Sequence, residues 1–312
     1  MMRFNYHLKP KIVISKCFFK PVRYDGGIVI DDFINRLKNY VDFIEVCPEI
    51  GIGLSVPRKK IIILFEGEKK KLFQPETGID LTYKMRDFSE RFLNELNEID
   101  GFILKSKSPS CGVSSAKCFK DNNICGKTDG FFAEEAKKRF PHLPVEDEGR
   151  LRDDGIREHF LTRIFAFSEF RELKENLSQD ELVKFHSIYK FLLLSYNQKN
   201  LRELGRIVAE KKNIKDKMKD YEKIFFSSFD RRPSKRNIYN AIIHIFGFFS
   251  DNMNIREKKH FLNIAEKFKE GNLEKETIVE MLKNLANRFN NEYILNQKFL
   301  NPYPDELNYK NF

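Results

Sequence analysis

The stretch KIVISKCFFKPVRYDGG, residues 11–27, decides how the fold is read. A short β-branched run ends, a cysteine follows two residues later, and a polar loop with paired glycines takes over. The same layout returns in VDFIEVCPEIGIGL (41–54) and in GFILKSKSPSCG (101–112). Each apolar run is a candidate strand, and each cysteine sits just past its carboxyl end. In an open parallel sheet, the loops at that edge converge even when far apart in sequence. Cys17, Cys47 and Cys111 can therefore share one site if their strands are neighbours.

The intervening segments support a sheet of that kind. IDDFINRLKNYV (30–41) and YKMRDFSERFLNELNEI (83–99) carry apolar residues at helical spacing, and KKIIILFE (59–66) reads as a further strand. Residues 1–150 are thus predicted to form an α/β domain with a mostly parallel sheet. From residue 151 to 312 apolar residues recur at three and four, and the expectation is an all-α bundle of six to eight helices. The boundary is placed in PHLPVEDEGRLRDDG (141–155), which is rich in proline, glycine and charge.

Composition bounds the rest. The chain has 312 residues, enough for two domains, with 31 phenylalanines and no tryptophan to supply aromatic packing. The formal net charge of +10 favours anionic partners. It also has a location: residues 199–236 hold 13 Lys or Arg against 6 Asp or Glu. Arg202, Arg206, Lys211, Lys212, Arg231, Arg232, Lys235 and Arg236 are candidates to contact nucleic-acid phosphates, with RRPSKR (231–236) read as a loop. No secretory signal is visible and the longest apolar runs, such as AIIHIFGFF (241–249), are too short for a bilayer. A soluble cytoplasmic protein is expected, with no membrane and no obligate protein partner evident. In a reducing compartment the five cysteines are free thiols, metal or cluster ligands, or catalytic groups.

Three thiolates suit zinc with a fourth ligand or water, or an iron–sulfur cluster with one iron left open. Cys118 and Cys125 have a C-x6-C spacing that matches no standard metal pattern and are read as structural or incidental. His186 and His244 lie among apolar neighbours in helices and are expected to be hydrogen-bonded core residues. Taken alone, Glu49 would cap a helix and Ser108 would be a turn residue. Arg23, Asp25 and Arg58 are candidates to hold a substrate or to pair among themselves.

SKCFFKPVRYDGG (15–27), VCPEIGIGLSVPR (46–58) and LKSKSPSCG (104–112) together resemble the TudS-type thiouracil desulfidases. That resemblance covers about residues 9–150. LVKFHSIYKFLLLSY (182–196), LRELGRIVA (201–209), NAIIHIFGFF (240–249) and YILNQKFLNPYPDEL (293–307) are similar to the helical partner domain often fused to it. The fused arrangement looks like the RudS-type proteins, which desulfurate 4-thiouridine in tRNA. The resemblance implies a 4Fe-4S cluster on Cys17, Cys47 and Cys111, a catalytic glutamate at Glu49 and a catalytic serine at Ser108. It implies tRNA as the partner. The bulky Phe18 and Phe19, and EIGIGL in place of a double glycine, depart from the family pattern and are expected to tune substrate access. Two rival readings stand beside it: a desulfidase of free thiouracil or another thiolated base, and a nucleic-acid-binding protein with a structural zinc site.

Overall fold

KIVIS forms strand β1 (Lys11–Ser15), and the next four elements follow its lead. They are helix α1 (Asp32–Leu37), strand β2 (Asp42–Val46), the one-turn helix α2 (Pro48–Gly51) and strand β3 (Ile62–Glu66). Strands β4 (Lys69–Gln74) and β5 (Ile79–Asp80) precede helix α3 (Thr82–Glu95) and strand β6 (Gly101–Leu104). Strands β7 (Ala116–Lys120) and β8 (Asn123–Thr128), helix α4 (Phe131–Arg139) and strand β9 (Val145–Asp147) complete the α/β part. These elements come from a computed structural model that describes residues 8–121 and 123–308.

Two sheets result, where the sequence suggested one. The first has the order β2-β1-β6-β9 and is parallel throughout. Val13 and Ile14 of β1 are fully buried, as is the whole of β6, the pattern of strands covered on both faces. Val13, Phe102 and Leu104 pack with Leu93 from α3 and with Phe132 and Ala136 from α4. The second sheet, β5-β4-β3-β7-β8, pairs antiparallel except at β3–β7. Its strands include KKKLFQ and NICGKT, half exposed or fully exposed. Charged and polar residues on such strands erase the apolar run that announces a strand.

The expected linker at 141–155 is part of the sheet. Val145–Asp147 pairs with Phe102–Leu104 as an edge strand. By contacts the chain divides at Ser168/Glu169, eighteen residues beyond the position read from the sequence. The reason lies in helix α5 (Asp154–Glu175), which runs through the division. Before that point Arg163 donates to the His142 carbonyl at 2.5 Å and Ser168 Oγ donates to the Leu8 carbonyl at 2.7 Å. Those bonds tie residues 154–168 to the α/β unit.

The second unit, from Glu169 to Asp305, is helical as expected. It holds the end of α5, then α6 (Gln179–Tyr196), α7 (Gln198–Ala209), α8 (Ile214–Ser228) and α9 (Lys235–Ser250). Helices α10 (Ile255–Glu270), α11 (Lys275–Arg288) and α12 (Glu292–Leu295) follow. Side chains of Ser178, Asn197, Asn213, Ser234 and Asn254 accept the first free amides of their helices and so fix where each helix starts. Phenylalanine fills the interior: Phe170 stacks on Phe225 at 5.2 Å between centroids, and Phe185 on Tyr189 at 4.4 Å.

The two histidines part company here. His186 is largely buried, with Nδ1 3.1 Å from the Tyr221 hydroxyl, as expected of a core histidine. His244 is exposed instead, because its position on α9 faces outward while Ile242, Ile245 and Phe249 take the buried face. Burial, with Lys190 adding to it, pushes the His186 imidazole down from 6.5 to about 4. The unfolded chain binds that proton more readily, so the stability it contributes is complete above about 6.5 and drains as pH falls toward about 4. Urea unfolding between about pH 7 and 4 should show the loss, about 3 kcal/mol from this group. His186→Gln should flatten that part of the profile.

Candidate active site

The strand order settles where the three cysteines go. β1 lies between β2 and β6, so the carboxyl ends of all three strands stand side by side. Cys17 occupies a single 3-10 turn (Lys16–Phe18) directly after β1. Cys47 is the N-cap of α2, with Pro48 at the first helical position. Cys111 ends the turn after β6. All three line one cavity of about 380 Å³, together with Glu49, Arg58, Lys105, Ser106, Ser108 and Tyr24. Cys17 and Cys111 are buried and Cys47 is partly so.

Two glycines allow the close packing around these turns. A Cβ at Gly51 would fall 2.1 Å from the Phe88 ring, so only glycine lets α2 lie against α3. A Cβ at Gly130 would come within 2.7 Å of the Ser110 carbonyl group and the Cys111 amide, so glycine lets α4 start beneath the Cys111 turn.

Glu49 projects from α2 and is held on two sides. Its Oε2 accepts from Arg58 Nε at 2.7 Å and Nη2 at 2.6 Å. Its Oε1 accepts from Ser110 Oγ at 3.0 Å and lies 3.5 Å from Ser108 Oγ. The Arg58 side chain is only 5% exposed, and its remaining donors go to the Val22 and Ser55 carbonyls. Arg58 lines the cavity, yet its guanidinium is committed to positioning Glu49. Arg23 lines the cavity and pairs with Asp25 at 3.0 Å; Asp25 is not among the lining residues, and its Oδ1 accepts the Gly27 amide. Ser108 Oγ accepts the amides of Ser110 and Cys111 at 3.2 and 3.1 Å, which pins the Cys111 turn while leaving its own proton toward Glu49.

Burial pushes all three thiols up, Cys17 to about 12 and Cys111 well above the usual thiol range. For Cys47, amides at the start of α2 pull the other way, and for Cys111 a hydrogen bond from Ser15 does so. Ser15 Oγ also accepts the Lys105 amide at 2.9 Å, joining β1 to the end of β6. Lys105 pairs with buried Glu148, and Glu148 also accepts from the Ser106 amide and hydroxyl at 2.7 and 2.6 Å. Ser15, Ser110, Lys105 and Glu148 thus build the site without having been singled out in the sequence. Glu148 was hidden in what read as a linker; a buried partner for Lys105 could have been sought among the acidic residues that follow.

Residues 12–148 match the family model described as 2-thiouracil desulfurase, and residues 190–304 match a second one, DUF1722, a protein of unknown function. The α/β part of the chain thus resembles a 2-thiouracil desulfurase domain, and the helical part resembles a DUF1722 domain. It is 24% identical over 152 residues to the uncharacterized protein YbgA of Escherichia coli K12, spanning 47% of this chain and 90% of that protein. The solved structure of a 4Fe-4S-dependent thiouracil desulfidase, TudS, matches 46% of this chain and 95% of that one, at 25% identity and a TM-score of 0.38.

Within the α/β unit, the two phenylalanines after Cys17 lie away from the cavity. Phe18 is buried and Phe19 packs on the Phe43 ring at 5.3 Å under Lys38, so neither gates the site. Among the described residues no three His, Cys, Asp or Glu side chains converge tightly enough for a single metal ion. In the helical unit, Arg202, Arg206, Lys211, Lys212, Arg231, Arg232, Lys235 and Arg236 are all exposed. Lys212 is paired with Glu210 and Asp220. Lys235 and Arg236 lie in the first turn of α9 rather than in a loop, because Ser234 caps that helix through the Asn237 amide. Lys217 of the same charge run is buried and donates to Gln179 and the Val208 carbonyl, a structural role. No helix of the described residues is long and apolar enough to cross a membrane.

The Cys111 turn hangs on one carboxylate. Asp147 is fully buried; it accepts the Val113 amide at 3.1 Å, the Ser115 hydroxyl at 2.6 Å and the Arg150 amide at 2.9 Å. Asp147→Ala leaves these donors unpaired and should cost about 3 kcal/mol or more. Asp147→Asn should cost less. Denaturant midpoints of the two variants check the order.

Proposed function

We propose that the chain removes sulfur from 4-thiouridine in tRNA, leaving uridine, with a 4Fe-4S cluster held by Cys17, Cys47 and Cys111. The observation that carries this is the convergence of three thiols from three adjacent strands on one cavity that also presents the Glu49 carboxylate. The donor set fits such a group: three soft sulfurs, no fourth cysteine among the lining residues, and a buried pocket. A cubane also tolerates sulfurs that do not meet at one point, since each ligates a different iron. Bound there with one iron lacking a protein ligand, the cluster supplies a soft Lewis acid for a thiocarbonyl sulfur.

The residues of this chain do the rest. Glu49 receives the proton of the water that adds to the ring carbon, through Oε1, the oxygen that Arg58 leaves to the hydroxyls. Ser108 passes a proton to or from that oxygen and keeps the Cys111 turn in place. Water adds across the thiocarbonyl, the carbon–sulfur bond breaks, and oxygen replaces sulfur with release of hydrogen sulfide; no electrons enter or leave. Tyr24, with the Arg23 and Lys60 cations over its ring, stands at the cavity and supplies an aromatic wall beside a pyrimidine. A base stacked in folded RNA must be drawn out to reach such a pocket, and the exposed cations of the helical unit supply phosphate contacts to hold the RNA.

A second reading, desulfuration of a free thiolated base, is favoured by the match of residues 12–148 to 2-thiouracil desulfurase. Sulfide release from thiolated tRNA and from free thiouracil, measured anaerobically on the iron-loaded protein, separates the two. The tRNA reading predicts turnover of the RNA. Glu49→Gln should retain its iron and lose about a hundredfold or more in kcat. Retained activity in a Cys111→Ser variant that holds no cluster would sink the proposal. Affinity for tRNA should drop by about a hundredfold between about 50 and 200 mM salt. A flat dependence would remove the phosphate-binding role of the helical unit.

A further inference from the structure

Cys118 and Cys125 lie outside the cavity, on the hairpin β7–β8, and their sulfurs are 2.9 Å apart. The pairing of the hairpin explains this approach. Cys118 lies opposite Gly126 and Phe119 opposite Ile124, so a bulge leaves Cys125 as the extra residue. In a regular ladder residue 125 would point to the face opposite its neighbour 126. The bulge re-aims it at Cys118. Gly126 takes the turn at φ +139°, where a residue with a Cβ would be strained.

The two thiols are not equivalent. Cys118 is buried against the second sheet, beside Ile63, while Cys125 is exposed to solvent. One sulfur can be reached by a reagent and the other can reach only the first. That is the arrangement of an attacking thiol and a resolving thiol.

We propose that Cys118 and Cys125 form a redox-active dithiol that closes to a disulfide by exchange with a low-molecular-weight disulfide. Cys125, as thiolate, attacks one sulfur of the reagent; a mixed disulfide forms and one reagent thiol leaves with the proton. Cys118, losing its proton, attacks the Cys125 sulfur and expels the second reagent thiol. The protein dithiol is oxidised by two electrons and the reagent disulfide is reduced to two thiols. The product cross-links a hairpin whose inner strand pairs with β3, next to the cavity residues Ile61 and Ile62. No cavity residue takes part, so this proposal stands or falls separately from desulfuration.

Oxidised glutathione is the probe, added anaerobically to the iron-loaded full chain, followed by alkylation, trypsin and mass spectrometry. The expected product is CFK (118–120) joined to DNNICGK (121–127) by a disulfide that dithiothreitol releases. In Cys118→Ser the resolving thiol is gone, and glutathione retained on Cys125 should rise about tenfold or more over wild type. In Cys125→Ser, Cys118 should stay unmodified. Three results would overturn the proposal: stable glutathione on wild-type Cys125 at the level of Cys118→Ser, two free thiols after the same exposure, or modification of Cys118 in Cys125→Ser.

Discussion

The candidate site depends on one constraint, the parallel pairing of β1 with β2 on one side and β6 on the other. Parallel neighbours need crossovers, so segments 30 to 90 residues apart are returned to the same edge with the same polarity. A cysteine placed just past each carboxyl end is then delivered to one place. The contacts that then cross this edge, such as Ser110 to Glu49 and the Lys105 amide to Ser15, link turns that the strand order has already made neighbours. The buried faces of β1 and β6 hold that edge, and through it the cavity, in register.

Around this edge, polar groups are arranged as supports for other polar groups. Arg58 is used up on Glu49 and two carbonyls; Ser108 on two amides; Asp147 on the turn that follows Cys111; Glu148 on Ser106 and Lys105. Each is a buried or half-buried group with its partners in place, the condition under which such groups rigidify rather than destabilise. The division of labour at Glu49 follows from this. One oxygen is anchored by a guanidinium, while the other meets hydroxyls that can carry a proton.

Much of this could be read from the residues. Three apolar runs ending in cysteine-bearing turns predicted both the strands and their shared edge, because strand and ligand lay within a few residues of one another. What could not be read depends on distance in sequence. KKKLFQ and NICGKT went unread because charged and polar residues interrupt the apolar run that marks a strand. PVEDEG looked like a linker because two of its three carboxylates, Asp147 and Glu148, only make sense beside Val113, Ser115 and Ser106, more than thirty residues earlier. His244 looked apolar from its neighbours in sequence, yet α9 turns it to solvent. Cys118 and Cys125 looked unrelated because their spacing ignores the bulge that brings them together.

The central claim is that Cys17, Cys47 and Cys111 bind one iron–sulfur cluster at the end of the parallel sheet. A crystal structure of the protein loaded with iron and sulfide under anaerobic conditions, with anomalous data at the iron edge, tests it most directly. The predicted result is one compact iron density in the cavity, bonded to those three sulfurs, with a fourth iron facing Glu49 and Ser108 and carrying no protein ligand. Iron bound elsewhere, or a lone metal ion held by a different set of side chains, would contradict it.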